Sequence, residues 1–384
     1  MNPLDAAEGT PVSAVRGRKP PRSIAVGFAG KQGREYLPLL MKYSRPVGLV
    51  ESSAEGEETA RRLGLPHFDS VESALRAVDF DLALITVPHS AHYAMCELLL
   101  GSGKHVIKEK PFAITERDAE SLTRLAVAND RSVYTLVQRS FVATFDFARR
   151  HLPQIGRPYW FAYDYHLDLP EPTCGWRADY ARALGGVMLD MGYHVIDVIN
   201  AYFGMPASVQ STFLHCYEEM RLRRLEDLAS VQLYYPSGSM AGTVTVSRHY
   251  HEKTERLTVL GAEGTFRVEP GSAELRSRRG EYIDRLSPQT PKGAVVEAMF
   301  SHYVRHLDDR EYRAAHLARQ RSTVRLIDGI YASGAGRTAC GAPPAVTVGP
   351  RPGDDGAEPS TDPNGGPERW RTDPTNSHCS VVSP

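Results

Sequence analysis

Between residues 23 and 139, short apolar runs alternate with helical patterns, and this alternation restricts the fold more than any other feature. Residues 23–26, 46–50, 81–87, 105–107 and 132–137 read as strands, each short and bounded by turn or polar residues. Between them, Tyr36, Leu37, Leu39 and Leu40 recur at helical spacing, residues 71–78 follow a capping Ser70, and residues 91–100 form another apolar helical run. Thr115-Glu116-Arg117-Asp118 is a capping-box pattern ahead of Ala119, Leu122, Leu125 and Ala126. Strands separated by helices pair through crossovers, which gives a parallel, doubly wound sheet.

The first strand runs into Gly27-Phe28-Ala29-Gly30-Lys31-Gln32-Gly33-Arg34 and then a helix. In that setting glycines let the backbone approach a pyrophosphate seated on the helix N-terminus. Gly27, Gly30 and Gly33 are the candidates. Phe28 stands where the usual spacing has its first glycine, which bears on pyrophosphate geometry rather than on the fold. Glu51 ends the second strand 21 residues after Gly30, where an acid holds a ribose 2′-hydroxyl. No arginine follows at Ser52 or Ser53 to meet a 2′-phosphate, so NAD is expected ahead of NADP. Lys31 and Arg34 read equally as phosphate contacts or as solvent-facing charges.

Two later stretches are polar where an apolar pattern should exclude charge. Residues 101–111, GSGKHVIKEKP, end a helix, run a buried strand and set Lys108, Glu109 and Lys110 at its carboxyl end. Open α/β sheets bind ligands at that end, and Pro111 forces a turn. Residues 185–194, GGVMLDMGYH, fall in a helical pattern over 185–204 that puts Asp190 and His194 on one face. A carboxylate beside an imidazole positions it and can raise its pKa, which suits proton transfer near neutral pH. The same spacing also serves an ordinary surface contact.

From about residue 157 the texture changes. Residues 159–167, 209–216, 229–235, 240–249, 256–260 and 264–268 read as strands, with turns at Pro236-Ser237-Gly238 and Gly261-Ala262-Glu263-Gly264. Strands joined without helices indicate a mostly antiparallel sheet. Helical patterns near 295–308 and 319–333 return the chain, and residues 341–384, with nine Pro and six Gly, have the composition of a disordered tail. A net charge of −1 argues against a general nucleic-acid or anionic-membrane binder, and no apolar run approaches a membrane span. Residues 1–22 lack the apolar centre of a signal peptide, and five cysteines without metal-like spacing suit a reducing cytoplasm. His249 and His251 share a strand face but have no cysteine or carboxylate cluster beside them in sequence, so no metal is expected.

In order, the glycine turn, the acid-tipped second strand, VPHSAH (87–92), GKHVIKEKP (103–111), GGVMLDMGYHVID (185–197) and RLIDGIYASGAGR (325–337) resemble the glucose–fructose oxidoreductase/inositol dehydrogenase family, Gfo/Idh/MocA. The resemblance covers about residues 22–338. On this reading the chain is a flexible leader (1–22), a dinucleotide-binding Rossmann domain (23–140), a substrate-binding and oligomerisation α+β domain with a large open, mostly antiparallel sheet (141–338), and a tail (339–384). The resemblance implies hydride transfer between nicotinamide and a secondary alcohol or ketone of a sugar, nucleotide sugar or cyclitol, in bacterial biosynthesis. It implies that Lys110 lies between nicotinamide and substrate, that the Lys110–Pro111 peptide is cis, and that Glu109 supports Lys110 and the cofactor side. His194 becomes the general acid/base, with Asp190 orienting it or binding a neighbouring hydroxyl. Pro88 and His92 match the nucleotide-side loop, while Arg139, Trp176 and Arg177 match pocket-lining positions. A homodimer or homotetramer through the open sheet is expected. The alternatives are an imine or unsaturated-ring reductase of the same fold and a non-catalytic dinucleotide-sensing protein.

Overall fold

The computed structural model describes residues 19–169 and 173–335. Of the expected leader only residues 19–22 fall within that range, and the expected tail lies outside it. Both sheets belong to one compact unit that ends at Ala335.

The amino-terminal half alternates strands and helices as β1 (Arg22–Val26), α1 (Lys31–Tyr43), β2 (Arg45–Val50), α2 (Ala54–Leu63), β3 (His67–Phe68), α3 (Val71–Ala77), β4 (Leu82–Ile85), α4 (His89–Gly101), β5 (His105–Lys108), α5 (Glu116–Ala128) and β6 (Val133–Thr135). Its six strands are all parallel, in the order β3-β2-β1-β4-β5-β6. Every residue of β4, β5 and β6 is buried, as expected of strands covered on both faces. The caps form where the sequence placed them: Ser70 Oγ accepts from Ser73 N at 3.2 Å, and Thr115 Oγ1 from Asp118 N at 3.1 Å. The two-residue β3 has no period to read. It is made by pairing with β2, and its Phe68 lies over Gly48, where a Cβ would stand 2.6 Å from the ring.

After α6 (Ala143–His151) the chain builds β7 (Pro158–Asp168), α7 (Tyr180–Ala183), α8 (Tyr193–Phe203), β8 (Ser208–Leu214), α9 (Glu218–Leu222), β9 (Leu228–Tyr234), β10 (Ala241–Ser247), β11 (His249–Gly261), β12 (Gly264–Glu269), β13 (Ser272–Ser277) and β14 (Tyr282–Leu286). These strands form an eight-stranded sheet in the order β14-β13-β12-β11-β7-β10-β9-β8, with only the β7–β10 pair parallel. The sequence pattern split β11 and missed β13 and β14. Residues 250–253 are exposed and polar, and β14 is an exposed edge, so neither carries the apolar alternation that marks a half-buried strand.

The helix expected over 185–204 is interrupted. A π-helical turn spans Met188–Gly192 before α8 begins. Glu226, buried just before β9, accepts hydrogen bonds from Gly186 N and Met188 N at 3.0 Å each, and a Cβ at Gly186 would strike the Glu226 carbonyl at 2.2 Å. A buried carboxylate therefore takes the first donors of this segment. π-turns concentrate at functional sites.

Two helices close the structure, α10 (Lys292–Arg305) and α11 (Arg310–Ala335). One core cluster runs from Ile24 and Val26 through Val187 and Ile196 to Phe161 and Val244, so the two sheets share an interior. A second, around Phe28, Tyr36, Leu40, Phe300 and Tyr303, packs α1 and α10 against the other face of the parallel sheet. α11 spans both halves: His316 Nε2 accepts from Thr135 N at 3.0 Å, while Arg319 and Gln320 hold the fully buried Asp197 of α8. Among the described residues no helix is long and apolar enough to cross a membrane. Removing one member of a buried, hydrogen-bonded ion pair strands the other. Asp197→Ala should therefore lower unfolding stability by about 3 kcal/mol in urea titrations, with Thr323→Ala far milder.

Candidate functional site

The carboxyl ends of the parallel strands carry a groove that fits a dinucleotide. Gly27 has φ +76°, and a Cβ there would stand 2.5 Å from Val87 Cγ1. A Cβ at Gly33 would meet the Phe28 backbone at 2.4 Å, so glycine lets α1 seat against the turn. Gly30, the residue before α1, is different: the nearest atom to an added Cβ is 3.9 Å away. Nothing in the protein requires glycine there, so the open space above the helix N-terminus suits a phosphate. The Phe28 side chain does not enter the groove; it is buried in the core beneath α1. Glu51 sits at the end of β2, with its carboxylate accepting from Ala29 N (3.3 Å) and Ser52 N (3.0 Å). Beside it a cavity of about 420 Å³ is walled by Val71, Ala91, Met95 and Leu98, an apolar slot beside the ribose-type acid. Arg34 is held by the Ala29 carbonyl and by Glu55, outside this groove wall.

The carboxyl end of β5 faces the segment that leads into α8. The Lys110–Pro111 peptide is cis. Lys110 Nζ donates to the Asp190 carbonyl at 2.7 Å and pairs with Asp190 Oδ1. Asp190 Oδ2 takes Arg177 Nε at 2.9 Å and faces Arg248 Nη2 at 3.5 Å. Burial alone would raise the Asp190 carboxyl, but Lys110, Arg177 and Arg248 outweigh it and hold the group well below the usual range. Glu109 accepts from Gln32 Nε2 at 3.3 Å, and burial pushes its pKa up. Lys108, wholly buried, donates to the carbonyls of Pro111 (2.5 Å) and Phe112 (2.9 Å); burial lowers its pKa to about 8. Tyr193 OH accepts from Phe112 N at 3.1 Å and donates to Gln320 Oε1 at 2.8 Å, fastening this loop to α8 and α11.

The expected Asp190–His194 pair does not form, because three cations occupy the carboxylate. His194 Nδ1 is buried without a hydrogen-bond partner. Burial, then Arg139 and Lys110, depress the imidazole well below its ordinary value, against the weaker pull of Asp190. The ring is thus neutral rather than raised. Arg139 is committed to Glu255 (2.5 Å), which also accepts from Tyr163 OH at 2.9 Å. Trp176 and Arg177 lie together, with the guanidinium 4.4 Å from the indole ring.

In the VPHSAH segment the two histidines divide differently from the expectation. His92 turns inward and donates from Nε2 to the Val87 carbonyl at 2.9 Å, bracing the loop that Pro88 starts. His89, not singled out in the sequence, lies edge-on to Trp176 at 4.8 Å and bonds the Ala183 carbonyl at 2.8 Å; burial, with Lys110, lowers it to about 3. Its signal was its place at the first turn of α4, at a strand's carboxyl end. Arg248 had none: it sits at a corner between two strands. A cavity of about 610 Å³ at the amino ends of β4 and β5, lined by Asp81, Lys104 and His105, holds none of these groups.

Residues 22–136 match the family model described as the oxidoreductase family, NAD-binding Rossmann fold (GFO_IDH_MocA), and residues 153–267 match the GFO/IDH/MocA C-terminal domain. A protein of Amycolatopsis mediterranei (strain S699), provisionally assigned as a UDP-kanosamine synthase oxidoreductase subunit, is 26% identical over 359 residues, 84% of this chain and 99% of that protein. An inositol dehydrogenase homolog from Azotobacter vinelandii, solved with NAD+, is similar in structure with a TM-score of 0.72 at 18% identity, covering 83% of this chain and 96% of the other. A levoglucosan dehydrogenase solved with NADH and levoglucosan gives a TM-score of 0.69 at 18% identity, covering 82% and 97%. Because a Cβ at Gly30 comes no nearer than 3.9 Å to a protein atom, Gly30→Ala should fold normally, costing under about 1 kcal/mol. Its NADH affinity should fall at least about tenfold in fluorescence titrations, the cost of one lost close contact of about 1.4 kcal/mol.

Proposed function

The chain belongs to the Gfo/Idh/MocA family of NAD(P)-dependent oxidoreductases, and we propose that it interconverts a secondary alcohol and a ketone on a nucleotide-linked hexose, using NAD. The observation that carries this reading is Lys110, held by Asp190 at the carboxyl end of β5 beside a buried neutral His194.

When bound, the dinucleotide supplies the hydride acceptor or donor. Lys110 donates a hydrogen bond to the reacting oxygen and stabilises negative charge developing there. Asp190 orients that ammonium rather than the imidazole, since its oxygens already face Lys110, Arg177 and Arg248. His194, neutral, accepts the hydroxyl proton in oxidation and returns it in reduction. Glu51 holds the ribose hydroxyls, and its carboxylate disfavours a 2′-phosphate, which supports NAD. Residues 23–140 bind the cofactor, Pro88 and His92 shape its loop, and residues 141–338 bind substrate and join copies into a homodimer or homotetramer.

The substrate class rests on two supports. Arg177 is the least covered cation around Asp190, 36% exposed against 8% for Lys110, so it is available to an anionic handle such as a diphosphate. The Amycolatopsis relative's name points to a nucleotide-linked amino sugar.

Lys110→Ala and His194→Ala should each lower kcat by about 10²–10⁴-fold on a turned-over nucleotide sugar, read at the NADH absorbance, with cofactor binding intact. Full turnover after Lys110→Ala would instead favour an imine-type reduction that does not need this donor. The pH profile tests His194 separately. Because its pKa lies well below the ordinary 6.5, it remains an able base as pH falls through that value. kcat/KM for oxidation should hold across pH 6.5 and drop only below it; a limb centred at or above 6.5 would remove His194 from this role.

A further inference from the structure

The corner behind the active site gathers three metal-ligating side chains that sequence distance kept apart. Cys216 lies in the link from β8 to α9, Asp227 immediately precedes β9, and His249 begins β11. The expectation of no metal rested on the absence of a cysteine or carboxylate cluster near His249 in sequence; the fold brings a cysteine and a carboxylate to it. The three ligand atoms lie within 4.8 Å of one another.

Two of those atoms are left unsatisfied. Asp227 is fully buried, and its Oδ2 accepts from Cys216 N at 3.0 Å and Tyr217 N at 3.4 Å. Its Oδ1 is 3.3 Å from His249 Nε2, yet both atoms are buried and neither makes a hydrogen bond. Buried polar atoms without partners are uncommon and costly, and each calls for a cause. A tetrahedral ion with nitrogen and oxygen ligands at about 2.0–2.1 Å sets those ligands about 3.3–3.4 Å apart, the separation seen here.

We propose that Cys216, Asp227 and His249 bind one zinc-class divalent ion, with water in the fourth position. A thiolate and a carboxylate balance the ion's charge, and the sulfur and imidazole select zinc or cobalt over magnesium and calcium. Cys216 is exposed, which opens the site to solvent, whereas Asp227 anchors it from inside. The backbone donors to Asp227 and the Tyr217 ring, edge-on to His249 at 4.5 Å, orient the ligands from behind. Asp227 and His249 are also each the chain neighbour of a residue near Asp190 or its π-turn. Glu226 holds Gly186 N and Met188 N, and Arg248 faces Asp190. The ion therefore ties down the corner from which both reach the π-turn.

The test uses the full chain, stripped with chelator and titrated with Co2+. The expected result is a thiolate-to-cobalt charge-transfer band that saturates at one ion per chain and is displaced by Zn2+ but not by Mg2+. Cys216→Ser should abolish the band and His249→Ala should abolish tight binding, while His251→Ala and Cys174→Ser keep both. Zn2+ should raise the thermal midpoint of the wild type and leave that of Cys216→Ser unchanged. Should His249→Ala fail to fold, Cys216→Ser, at an exposed position, still decides. Absence of the band at stoichiometric Co2+, or a band that survives Cys216→Ser, overturns the proposal.

Discussion

The contact between Lys110 and Asp190 is the constraint on which the site depends, because it is where two independently built sheets meet. Lys110 stands at the end of the parallel sheet and Asp190 in the π-turn ahead of α8. Two charges this well buried are favourable only when every remaining lone pair and proton finds a partner. Here partners come from several elements: the Asp190 carbonyl takes a second Lys110 proton, and the other carboxylate oxygen takes Arg177. The loop carrying Lys110 is pinned below by Lys108 on the Pro111 and Phe112 carbonyls and above by Tyr193.

This arrangement sets the site's chemistry as well as its shape. Cations crowd the carboxylate, so Asp190 stays ionised and unavailable as a base. Burial, with Arg139 and Lys110 beside His194 and Lys110 beside His89, keeps both imidazoles neutral. Under the proposed function, a fixed ammonium, a neutral imidazole and an excess positive field suit an oxygen that becomes negative during reaction. On that reading, separating the roles by environment lets one pocket hold an acid and a base at the same pH.

The second sheet contributes its far corner to this scheme. Glu226 reaches the segment leading to Asp190, and its neighbour Asp227 turns to the outer cluster. Arg248 faces Asp190, and its neighbour His249 turns outward to Asp227. Successive residues of extended chain point to opposite sides, so one backbone serves both the site and the structure behind it.

Much of the fold was readable because its signals are local. Alternating strands and helices, Ser70 and Thr115 as caps, and the glycine turn each depend on residues a few positions apart. β3 and β14 were not readable, since a two-residue bridge and an exposed polar edge strand carry no period; β13 was missed because its alternation rests on only two buried apolar residues, Ala273 and Leu275. The same divide runs through the site. Lys110 was visible as a charge ending a buried strand, and Asp190 and His194 as polar residues in an apolar run. The sequence by itself thus determined the parallel sheet, the cofactor-type turn and the candidates for chemistry. The tertiary structure alone decided that Asp190 answers Lys110, Arg177 and Arg248 instead of His194, that His89 rather than His92 faces them, and that Cys216 and Asp227 join His249. Periodicity is set by near neighbours, whereas the strength of a charge pair is set by distance and burial across the fold.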